Sequence, residues 1–117
     1  MEHTMKLRPN PFFKIKSGQK TIELRLYDEK RQLISVGDRI RFVNTKDETD
    51  VLVMKVKALH IFESFDELYQ NLPLLKCGYT EEDVDRALPS DMERYYSKEK
   101  QDLYGVVGIE LCFEDDN

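Results

Sequence analysis

The sequence predicts a single α+β domain in which a small antiparallel β-barrel carries short helices at one side. Three observations predict it. The chain has 117 residues, 40% of them hydrophobic, enough for one core of ordinary size and too little for two, so residues 1–117 are expected to form one domain. Its hydrophobic period switches in the order β, α, β, β, β, helices, β. That order lacks the regular strand–helix alternation of a parallel sheet and suits antiparallel strands with segregated helices.

His3 to Leu7 alternates weakly and reads as a short first strand. A helix follows, with Asn10 as N-cap, Pro11 in the first helical position, Phe12 and Ile15 on one face and Gly18 at its end. From Lys20 the period becomes two, placing Ile22, Leu24 and Leu26 on one face of a strand and Thr21, Glu23 and Arg25 on the other. The second face is polar and is expected to be displayed. Gly37-Asp38 turns the chain into a strand Arg39 to Asn44 with Ile40 and Phe42 inward. Thr45 to Asp50 is polar throughout and reads as a loop, and Val51 to His60 as a longer strand in which Leu52, Met54, Val56 and Ala58 alternate with Lys55 and Lys57.

Caps predict a helical middle. Ser64-Phe65-Asp66-Glu67 opens a helix through Leu68, Thr80 caps a second over Glu81 to Leu88, and Ser90-Asp91-Met92-Glu93 opens a third. Tyr104 to Phe113 is a closing strand with Val107, Ile109, Leu111 and Phe113 on one face, and Glu114-Asp115-Asp116 is an acidic tail. Ile22, Leu24, Ile40, Phe42, Leu52, Met54, Val107 and Ile109 are expected to meet in one barrel core.

Composition narrows the chemistry. No apolar run approaches the roughly 20 residues of a membrane span, and the start has no apolar stretch or cleavage site of a signal peptide, so a cytoplasmic location is expected. Cys77 and Cys112 are far apart, and neither they nor His3 and His60 stand at ligand spacing, so free thiols, no metal and no cofactor are expected. Glycine-rich phosphate loops, nucleophile elbows and zinc-protease motifs are absent. The formal charge is −5, yet Met1 to Arg41 holds ten Lys and Arg against five acids, and the remainder sums to −10. Such polarity directs an anion to one face while the acidic remainder suppresses indiscriminate binding to phosphate.

The segment Gly18 to Arg31 sets Lys20, Arg25, Lys30 and Arg31 beside the polar face of a strand. Exposed ion pairs are common, so a solvated, salt-bridged strand is the competing reading. Phe12, Phe13, Phe62 and Phe65 read as core. Tyr95, Tyr96 and Tyr104 read equally as core or as the wall of a base-stacking cleft.

The residues Gly18-x-Lys20-Thr21-Ile22-Glu23-x-Arg25-Leu26 and Asp28-Glu29-Lys30-Arg31, then Gly37-Asp38-x-Ile40-x-Phe42, resemble the ASCH domain family. Tyr95-Tyr96-Ser97 and Tyr104-Gly105-Val106-Val107-Gly108-Ile109 resemble it as well. The resemblance implies a PUA-like small antiparallel β-barrel with flanking short helices, and RNA or a nucleotide-like molecule bound in a cleft around the G-x-K-T-I-E-x-R strand. Lys20, Thr21, Glu23, Arg25, Lys30, Arg31, Tyr95 and Tyr96 would line that cleft, with basic groups on phosphate and Glu23 accepting from base amino groups. Some members of the family hydrolyse N-acetylated cytidine and are similar at Gly18, Lys20, Thr21, Ile22 and Arg25. By that resemblance Lys20 takes the place of their catalytic lysine, while Glu23 stands where they carry a threonine nucleophile. A hydrolase acting on modified nucleosides or on RNA would use Glu23 beside Lys20 as general base on water; the competing reading is a structural ion pair. A third alternative is a protein partner held by the acidic helices from Glu81 to Tyr96.

Overall fold

The computed structural model describes residues 1–114. Within them, β1 (Glu2–Leu7), β2 (Ile22–Leu26), β3 (Arg39–Asn44), β4 (Asp47–Phe62) and β5 (Val106–Phe113) form one mixed sheet in the order β1-β3-β4-β5-β2. The sheet curls into a half-barrel whose end strands, β1 and β2, are not paired with each other. Three pairings are antiparallel, whereas β1 runs parallel to β3. The long connection between these two strands, which contains a helix and β2, lets the chain return in the same direction. β4 bends to serve both neighbours: its first half pairs with β3, its second with β5, and a register shift between Val56 and Ala58 marks the bend.

Helix α1 (Pro9–Ser17) begins two residues earlier than its caps suggest, with Arg8 as N-cap and Pro9 in the first turn, so Asn10 lies inside it. Gly18 ends it at φ 87°, its N–H bonded to the Ile15 carbonyl, as the left-handed closure of a helix requires. Helix α2 (Phe65–Asn71) is capped as expected, the Ser64 hydroxyl accepting from the Glu67 N–H. The Thr80 and Ser90 signals do not produce α-helices. Residues Val84–Arg86 and Pro89–Arg94 are short 3-10 segments. At Thr80 the cap is reversed, since its own N–H donates to Asp83. A helix that the caps at Thr80 and Ser90 did not announce, α3 (Lys98–Tyr104), uses Ser97 in the same way that α2 uses Ser64. Thr45 and Lys46 alone form the turn between β3 and β4, because Asp47 already pairs with Asn44. Asp115 and Asp116 of the expected acidic tail lie outside the described residues.

The core divides in two, where one was expected. Met5, Phe12, Ile15, Ile40, Phe42, Met54, Val107 and Ile109 fill the half-barrel, with Leu52 against them. Ile22, Leu24 and Leu26 belong to a second cluster on the outer side, with Phe65, Leu68, Cys77 and Val106. Strand register explains the division. Glu23 lies opposite Ile109 and Arg25 opposite Val107, and directly opposed residues share a face. The polar face of β2 therefore points into the half-barrel, and its apolar face outward against α2. Alternation in a sequence separates two faces without saying which is inside. Of the four phenylalanines read as core, Phe12 and Phe65 are fully buried and Phe62 packs against the outer cluster, while Phe13 is exposed. No described helix is long and apolar enough to cross a membrane.

Gly105 joins α3 to β5 at φ 72° and ψ −171°, a region other residues enter at a cost of about 1–3 kcal/mol. A Cβ there would stand 2.9 Å from the Phe62 carbonyl oxygen. Gly105→Ala should therefore lower unfolding free energy by at least about 1–3 kcal/mol. A urea midpoint unchanged from that of the unmodified protein would show that this junction relaxes freely.

Candidate functional site

The site is built where the half-barrel stays open. Lys20 and Thr21 precede β2, fixed by backbone bonds from the Lys20 N–H to Lys14 and from the Thr21 N–H to Lys76. The Lys20 side chain then runs beneath Gly78, whose missing Cβ would stand 3.2 Å from Lys20 Cδ. Its Nζ meets Glu23 Oε1 at 2.7 Å, and Arg25 Nε meets Glu23 Oε2 at 2.7 Å. Arg25 also donates from Nη2 to the Lys6 carbonyl at 2.9 Å, spanning the gap between β2 and β1. The seam of the sheet is thus bridged by a side chain instead of a strand pairing.

Burial governs the electrostatics. Glu23 is only 4% exposed and Lys20 9%, so the displayed polar face expected of β2 is in fact enclosed. Burial alone would raise the Glu23 carboxyl, but Lys20 and Arg25 outweigh it and hold the group at about 2. Burial likewise opposes the Arg25 charge, and Glu23 more than compensates, raising it above its ordinary value. The neighbouring Cys77 thiol is pushed up to about 11, chiefly by burial, which leaves it a poor nucleophile.

Above this floor lies a cleft of about 580 Å³, a size that accommodates a small organic ligand. Seven basic side chains and three acidic ones line it. Lys6 and Arg8 enter from the end of β1 and the start of α1, Arg86 and Arg94 from the two 3-10 segments. Tyr95 and Tyr96 add aromatic wall. The Arg8 guanidinium lies 5.7 Å from the centre of the Tyr95 ring, and Tyr96 stacks on Phe65 at 6.1 Å with planes 19° apart. Tyr69, Tyr79 and Asp91 complete the lining.

The structure brings together Lys20, Glu23, Arg25, Tyr95 and Tyr96 from the residues expected in the cleft. Thr21 adjoins them through its backbone. Lys30 and Arg31 are not in the lining: Lys30 is exposed, and Arg31 pairs with Asp28 at 3.2 Å. Their places are taken by Lys6, Arg8, Lys14, Arg86 and Arg94, which sequence reasoning missed along with Tyr69, Tyr79 and Asp91. The run Arg94-Tyr95-Tyr96 was a signal in the sequence for Arg94 alone. From the stretch Glu81 to Tyr96, Arg86, Arg94, Tyr95 and Tyr96 enter the lining beside Asp83 and Asp91.

A mixed, curled half-barrel sheet with flanking short helices is an α+β fold of the ASCH/PUA-like kind. Residues 5–115 match the ASCH domain, and the chain belongs to the ASCH domain family. It is similar to the crystal structure of hypothetical protein PH0355, with 34% identity and TM-score 0.78 over 95% of this chain and 97% of that one. It is similar at 34% identity and TM-score 0.74 to the solution structure of protein PF0455 from Pyrococcus furiosus, over 99% of this chain and 100% of that one. The ASCH protein from Zymomonas mobilis shares the fold at 18% identity and TM-score 0.67, over 95% of this chain and 66% of that one. Among functionally curated proteins, none matches the chain at a significant level.

Proposed function

We propose that the cleft binds single-stranded RNA or a nucleotide, with phosphate on its basic rim and a base against Tyr95 and Tyr96. One observation carries this reading: a chain of net charge −5 gathers seven basic against three acidic side chains in a single tyrosine-walled cleft. Phosphate neutralisation supplies most of the affinity for nucleic acid, and tyrosine faces stack bases with little regard to sequence. Lys20 and Arg25 retain N–H groups beyond those given to Glu23 and Lys6, since an ammonium has three donors and a guanidinium five. Glu23 engages a cation with each oxygen, so its part is to hold Lys20 and Arg25 in place instead of accepting from the base.

The same geometry counts against hydrolysis through Glu23. A general base works best with a pKa near the operating pH, and a carboxylate at about 2 with both oxygens occupied takes a proton from water poorly. The test is fluorescence anisotropy with a short labelled single-stranded RNA across a salt series. Arg8→Glu combined with Arg94→Glu should weaken binding and reduce the logarithmic salt slope by roughly 1.4, about 0.7 for each single-strand phosphate no longer neutralised. Both side chains are exposed, so folding should be preserved. An unchanged slope would remove this rim from the interface. Consumption of acetylated cytidine by the unmodified protein, lost in Lys20→Ala, would replace binding with the hydrolase reading.

A further inference from the structure

Tyr69, Tyr79 and Asp91 form a hydrogen-bond chain along the cleft whose direction is fixed. Tyr79 donates to Asp91 Oδ2 at 2.7 Å, and the Leu88 N–H donates to the same oxygen at 3.1 Å. These two donors hold the Asp91 carboxyl below its ordinary value, so it is ionised and accepts only. The single proton of Tyr79 is therefore committed to Asp91. Tyr69 Oη lies 2.7 Å from Tyr79 Oη, and the proton in that bond must come from Tyr69. What Tyr69 Oη has left for a ligand is lone pairs and no proton.

The chain is held from several sides. Tyr79 sits on a loop clamped by Lys14 Nζ to the Gly78 carbonyl at 2.7 Å and by Gln19 Nε2 to the Tyr79 carbonyl at 3.0 Å. The Tyr69 ring packs edge-on against Phe65 and against Tyr79, with centres 6.5 and 5.9 Å apart. Burial raises the Tyr69 phenol to about 12, so its proton stays in the chain at neutral pH.

We propose that Tyr69, fixed as an acceptor by Tyr79 and Asp91, makes the cleft prefer a base with an exocyclic amino group over uracil. This rests on the binding reading above. An amino group of adenine or cytosine presents two N–H donors at the edge of the ring. Uracil offers a single ring N–H between two carbonyl oxygens, whose lone pairs face any acceptor that approaches. A buried polar group left without its partner loses roughly tenfold or more in affinity. Tyr69 is thus a specificity-determining residue, and Tyr79 and Asp91 are positioning residues that set the direction of its proton.

Anisotropy with labelled oligocytidylate, oligoadenylate and oligouridylate tests this, with CMP and UMP as competitors to separate recognition of a free nucleotide from recognition of a strand. The unmodified protein should bind the cytidylate and adenylate forms roughly tenfold or more tightly than the uridylate form. Tyr79→Phe keeps the Tyr69 oxygen but frees its proton to turn toward the cleft. The preference should then fall toward unity, mainly through tighter uridylate binding, an effect that a merely structural role would not produce. Tyr69→Phe should remove the preference by weakening the amino-bearing forms. Equal binding of all three oligonucleotides by the unmodified protein, or a preference that survives in Tyr79→Phe, overturns the inference while leaving nucleotide binding intact. If no oligonucleotide or nucleotide binds, the binding reading falls and this inference with it.

Discussion

Glu23→Gln should lower the unfolding free energy by about 3–5 kcal/mol, as breaking a buried ion pair from one side does. An amide cannot neutralise two cations, and Lys20 and Arg25 would remain in place with their charges uncompensated. Titration leads to a similar magnitude. The folded chain protonates Glu23 only near about 2, against an ordinary value of 4.5, so the stabilisation is present in full above 4.5 and is lost as pH falls toward 2. That difference corresponds to about 3 kcal/mol. Urea unfolding at neutral pH and at roughly pH 3 should show a large acid loss in the unmodified protein and a smaller one in Glu23→Gln. Asp38, held at about 2 mainly by His3 and the Ser35 N–H, titrates in both proteins, so the difference between them isolates Glu23. Equal acid sensitivity in the two would mean that the ion cluster contributes nothing to folding.

Phe65→Ala should cost about 3–5 kcal/mol, the usual range for deleting a buried aromatic ring, and should weaken the proposed RNA binding beyond its effect on stability. Phe65 is 1% exposed. It backs the stacked Tyr96 ring on one side and meets the edge of Tyr69 on another. Its loss opens a cavity under α2 and removes one packing partner from each of the two cleft tyrosines. Phe65→Leu retains apolar volume and should cost less stability while still removing the stacking partner of Tyr96. Full RNA affinity in a folded Phe65→Leu protein would show that Tyr96 keeps its place without the ring.

The strands were legible because period two is a local property. β2, β3 and β5 lie close to where Ile22, Ile40 and Val107 place them, and the Ser64 cap forms as its spacing implies. The inside of β2 was not legible. Ile22, Leu24 and Leu26 are the apolar face of that strand, yet the side turned into the half-barrel carries Glu23 and Arg25, because the sheet stays open there and the helices cover its outer surface. The cleft was half legible. Lys20 to Arg25 are contiguous and could be read as a unit, whereas Arg8 and Arg94 meet only after β1 and the Pro89–Arg94 segment are brought together. Lys30 and Arg31 have the same chemistry as Arg8 and Arg94 and continue the same motif. Nothing in their local pattern shows that the chain turns them away.

The bond from Arg25 to the Lys6 carbonyl bears on self-association. β1 and β2 end the sheet, and unpaired strand edges are templates for the addition of another chain. At Lys6 the backbone acceptor is already taken by a guanidinium that Glu23 anchors from within. A foreign strand adding at that point must first displace Arg25 and so disturb the buried ion cluster. The charged floor of the cleft thereby also obstructs strand addition at Lys6.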